Sequence, residues 1–71
     1  MIDKCNQKYF EKAKKHFFIG QEVFAKEWFT WHKYHIIDIH RGTITIEGNG
    51  HQTWYNWEDL LLLQKAHNNI A

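Results

Sequence analysis

The chain has no proline, no serine, one cysteine and one arginine among its 71 residues. Each shortage removes a class of function. Without serine there is no Ser-His-Asp triad and no nucleophile elbow. A single thiol, Cys5, cannot close an internal disulfide, so no cross-linked framework supports the fold. With no second cysteine or companion base beside it, Cys5 reads as a small hydrophobe rather than a reactive group. Long apolar runs are missing as well. The longest, Leu60 to Leu63, falls far short of the roughly 20 residues that span a bilayer. The opening MIDKCNQ holds no apolar leader core. The expected location is therefore the cytoplasm, with no membrane partner. No phosphate loop, HExxH sequence or carboxylate pair in a plausible pocket occurs either, so the chain is expected to be no enzyme and to carry no cofactor.

What is abundant is aromatic side chain. Four Trp, three Tyr and five Phe make up 17% of the residues. Hydrophobic residues are 44% and charged residues 24%, an ordinary globular balance. A chain this short buries only about 60% of its unfolded surface. One domain with one thin core is expected, and the molecule is expected to be a monomer. Such a core has room for only part of these rings. The remainder either fill space beneath a docked helix or line a binding face.

Charge divides the chain. Lys4, Lys8, Lys12, Lys14 and Lys15 against Asp3 and Glu11 give residues 1–16 a net +3, whereas residues 17–71 carry a net −2. Attraction to phosphate, if any, belongs to the first segment, through Lys4, Lys8, Lys12 and Lys15. The competing reading is a solvated face opposite a docked stripe. The single arginine argues against nucleic acid, where Arg usually dominates recognition.

Residues 1–19 read as an N-terminal helix and joint: from Asp3 to His16 the pattern is helical, with Ile2, Cys5, Tyr9, Ala13 and Phe17 on one stripe and Phe10 at its edge. Asp3 is a candidate N-cap, and Phe17, Phe18 and Ile19 form an apolar joint before Gly20. Residues 20–64 carry strand signals. Glu22 to Ala25 alternates. Lys26 to Lys33 reads as a loop bearing Trp28, Phe29, Trp31 and His32. Tyr34 to His40 is β-rich, Arg41-Gly42 makes a turn, and Thr43 to Glu47 alternates again. Gly48-Asn49-Gly50 is a hairpin turn and Gln52 to Asn56 the returning strand. Asn56 to Leu60 reads as one helical turn, Leu61 to Gln64 as a last short strand, and residues 65–71 as a frayed tail. The expected core is Val23, Ala25, Ile37, Ile39, Ile44, Ile46, Trp54, Leu60 and Leu62. Ile36 and Ile37 compete for the interior, and a bulge between them would exchange their faces.

Five short strands in this span suggest a closed barrel, because an open sheet would leave long edges. Gly20 to Ala25, then Trp31 with Tyr34 to Ile39, then Thr43 to Gly50, and finally Glu58-Asp59-Leu60, together resemble the SH3-like barrel superfamily, especially its Tudor-like members. The fold expected is thus mainly β, a five-stranded SH3-like barrel with an N-terminal amphipathic helix. The whole chain also resembles small uncharacterised proteins of Bacillus prophages. This resemblance implies a phage-type protein without defining its role. Ala25-Lys26-Glu27-Trp28 is not the ALYDY-like motif of SH3 domains proper, and no proline is available for their ligand groove, so PxxP binding is not implied. An aromatic cage from Trp28, Trp31, Tyr34 and Trp54 has no register to support it.

The barrel resemblance implies that Trp28, Trp31 and Tyr34 flank one groove with Tyr55 and Trp57. Those five are the candidate binding residues, for a protein or peptide ligand. The alternative is a nucleic-acid accessory role joining these rings to the basic helix. The six histidines offer His32-x-x-His35 and Asp38 with His40 as metal pairs. In a strand, residues three apart face opposite sides, so no metal site is expected.

Overall fold

The computed structural model of the chain describes residues 11–70. It shows a small, mainly β protein with an open sheet, not a closed barrel. Four antiparallel strands lie in the order β1-β2-β3-β4, comprising Glu22–Glu27, Thr30–His40, Thr43–Gly48 and His51–Asn56. A helix over Trp57–Ile70 follows directly. Of the expected N-terminal helix, residues 1–10 lie outside the described residues, and only residues 11–16 are helical.

The fifth strand is replaced by helix for a local reason. Leu, Gln, Lys and Ala, which fill residues 60–66, are strong helix formers, and no β-branched residue interrupts them. Glu58 and Asp59 sit in the first turn and His67 in the last, which suits the helix dipole. Trp57, Leu60, Leu61, Gln64 and His67 recur at helical spacing, and all are at least half-buried. Four adjacent leucines mask that period, because an apolar run fits a buried strand equally well.

Three two-residue turns join the strands. Asn49 (φ 52°) and Gly50 (φ 77°) form a type I′ turn. Arg41 (φ 57°) starts the second turn, and the carbonyl of its Gly42 accepts a bond from Trp57 N–H at 2.8 Å, tying the helix start to the sheet. The third turn falls where a loop from Lys26 to Lys33 was expected. Glu27 pairs with Thr30, so Trp28 and Phe29 alone make the reversal. Aromatic residues carry no turn signal, which is why the sequence reads there as a loop.

The core lies between the sheet and the helix. Val23, Ala25, Tyr34, Ile36, Ile44, Ile46 and Leu60 fill it, closed at one side by Ala13 and Phe17. A bulge shifts the β2–β3 register between Ile36 and Asp38. Ile37 is the extra residue, so Ile36 takes the interior place expected for Ile37, and Ile39 returns to the inner face opposite Ile44. Trp54 and Leu62 leave the expected core and are exposed. Trp54 pairs with Thr45, so it points to the face opposite Ile44 and Ile46. Leu62 lies on the solvent side of the helix. Phe18 and Ile19, from the expected apolar joint, are exposed as well.

The two sheet edges differ. On β1, the Gln64 side chain bonds both polar groups of Phe24. Its Oε1 accepts from Phe24 N–H and its Nε2 donates to Phe24 C=O, each at 2.7 Å. The amide stands in for a neighbouring strand. Just beyond, His67 stacks on Phe24 with ring centroids 3.8 Å apart and meets Trp31 edge-on. The helix therefore wraps from the inner face round the β1 edge.

Candidate functional site

The β1–β2 hairpin ends in two bare aromatic rings. Trp28 is 90% exposed and Phe29 is 89% exposed. Trp28 is held at φ 59°, a left-handed conformation that costs a non-glycine residue roughly 1–2 kcal/mol. The turn needs that conformation because it is only two residues long. Strained backbone and uncovered rings thus coincide at one spot.

Beneath the tip the stem is polar and fixed. Tyr34 donates from its hydroxyl to Glu27 Oε2 at 3.4 Å, and His51 Nε2 lies 3.3 Å from Glu27 Oε1. Glu27 therefore links the tip to the neighbouring β3–β4 turn. Burial raises the Tyr34 pKa, and the negative charge and hydrogen bond of Glu27 raise it further. The space is tight here. A Cβ on Gly48 would stand 2.6 Å from the Lys33 carbonyl oxygen and 2.8 Å from the Tyr34 ring. On the outer face, Lys26 Nζ sits 5.9 Å from the Trp31 ring centroid, a weak cation–π contact. Lys33 and Glu22 pair at 3.9 Å in solvent, worth little.

The five expected binding aromatics do not line one groove. Trp28 is at the tip. Trp31 lies on the outer face, half-buried under His67. Tyr34 belongs to the core, 5% exposed. Tyr55 and Trp57 are half-buried at the far end of the sheet, where Trp57 stacks on His16 with ring planes 5° apart. Most of the 11-residue β2 lies between those ends, roughly 30 Å. The residue that joins Trp28 is its neighbour Phe29. Glu27 and His51, the polar supports of the tip, carried no distinguishing sequence signal.

The basic residues are divided too. Lys4 and Lys8 lie outside the described residues, while Lys12 and Lys15 are exposed. Among the described residues no three His, Cys, Asp or Glu side chains gather as a metal site would require. No helix among them is long and apolar enough to cross a membrane.

Fold and site together define a four-stranded meander, backed by a C-terminal helix, that presents an aromatic hairpin tip. Compared with known proteins, the chain matches no family, no curated protein and no solved structure.

Proposed function

We propose that this protein is a non-catalytic interaction module that binds a protein or peptide by seating Trp28 and Phe29 in an apolar pocket of the partner. One observation carries the reading: two adjacent large rings stand almost fully in water on a tight turn with a positive φ at Trp28. Burying each ring on a partner would contribute about 1.5–3 kcal/mol, since neither is covered within its own fold. The two-residue turn sets where the rings start from the backbone, so the ordering that opposes binding is that of the side chains. The Glu27 contacts to Tyr34 and His51 stiffen the stem in the same sense.

A peptide library displayed on phage, selected against the immobilised chain, tests this. Selected peptides should be rich in apolar residues and should lose at least roughly tenfold in affinity for Trp28→Ala or Phe29→Ala. Equal affinity for the wild type and both variants would refute the reading. Tight, salt-sensitive binding to a single-stranded oligonucleotide at about 50 mM salt, with no peptide recovered, would instead favour the nucleic-acid role.

A further inference from the structure

The sheet has one covered edge and one bare one. In antiparallel ladders the hydrogen-bonded pairs alternate with pairs whose polar groups point outward. The two-residue turn makes Gly48 and His51 a bonded pair, so Ile46–Thr53 and Ile44–Tyr55 are bonded as well. Gln52 and Trp54 consequently turn their N–H and C=O groups away from β3. The same alternation on β1 turns Phe24 outward, and Gln64 meets it there. Among the described residues no side chain hydrogen-bonds Gln52 or Trp54 in this way.

Three further features converge on this edge. The strand HQTWYN carries no Lys, Arg, Asp, Glu or Pro, the residues that usually guard an exposed edge. Trp54, 67% exposed, flanks it on the outer face. Leu62, 64% exposed on the solvent side of the helix, lines a mostly apolar groove beside it with Tyr55, Leu63 and Ala66, and Asp59 is the one charged residue there.

We infer that β4 is a self-association edge and that its occupant is β4 of a second copy, paired antiparallel about a two-fold axis at Thr53. The N–H and C=O of Gln52 then bond the C=O and N–H of Trp54 in the other copy, and the reverse. One operation covers the free backbone groups, Trp54 and Leu62. The occupant follows from charge and from the other edge. A neutral strand pairs with itself without opposing like charges. Growth by β4 on β1 is closed off, because Gln64 occupies that edge and Glu22, Lys26 and Glu27 lie along it. Only the isologous pair remains, which ends at a dimer instead of a fibre. This state departs from the monomer expected for so small a chain, and it is independent of the tip's role.

Sedimentation velocity of the full chain from about 1 µM to about 1 mM tests it, a range that captures weak dimers. The wild type should shift from monomer to dimer as concentration rises. Trp54→Lys and Leu62→Lys should each weaken assembly at least roughly tenfold. Gln52→Pro removes an outward N–H without touching the β3 ladder, so it should do the same with the fold intact. Trp28→Ala should leave assembly unchanged. A monomer at every concentration would overturn the inference. So would a dimer unaffected by all three edge variants.

Discussion

Trp28 is the residue at which stability and function are set against each other. Its indole makes no compensating contact at 90% exposure, yet its backbone holds φ 59°. Glycine occupies that region without the Cβ penalty. Trp28→Gly should therefore stabilise the fold by about 0.5–1 kcal/mol and raise the melting temperature by roughly 2–8 °C, while abolishing partner binding. An unchanged or lower melting temperature in a calorimetric scan would show that the turn is not strained. Tyr34 gives a second test at this scale. Its folded pKa lies above the unfolded value, so the fold favours the neutral phenol. That contribution is complete below about pH 10, the usual tyrosine value, and is lost as pH rises through the folded pKa. Urea midpoints should fall above about pH 10 with a slope that Tyr34→Phe reduces. An identical slope in the variant would assign the loss to other groups.

The elements show where sequence patterns speak and where they fall silent. Gln64 is the clearest case. Its two bonds to Phe24 close the β1 edge, and losing them should cost about 1–3 kcal/mol. In Gln64→Ala the Phe24 amide should exchange with solvent much faster than the amides of Val23 and Ala25, which face β2. Continued protection of Phe24 would mean that something else covers the edge. Nothing in the sequence singles out Gln64, because its partner is 40 positions away. Strands with strict alternation were legible: Val23 and Ala25, then Ile44 and Ile46, enter the core as their spacing requires. The Asn49-Gly50 turn was legible from its residue types. The Ile36–Ile37 choice was not, since adjacent isoleucines suit either face until a bulge decides. The leucine run hid a helix, and that helix fills the place of the expected fifth strand. The site was legible only in part. Trp28 stood in an aromatic cluster, but its isolation from Tyr34, Tyr55 and Trp57 depends on a turn that residue type argued against.

At the scale of the whole molecule, the helix replaces barrel closure. It covers the inner face, wraps round β1 and leaves the outer edge of β4 open. The meander carries Trp28 and Phe29 to the end opposite the helix start, clear of the core. Tip and edge are thus separate surfaces, the first proposed for a partner and the second for another copy. The most direct test of the tip's role is amide chemical-shift mapping of the nitrogen-15-labelled chain with a selected peptide. The largest shifts should fall at Glu27, Trp28, Phe29 and Thr30, with Gln52 to Tyr55 and the C-terminal helix nearly unmoved. Shifts concentrated on β4, on the helix or on Lys12 and Lys15, with the tip unmoved, would contradict it.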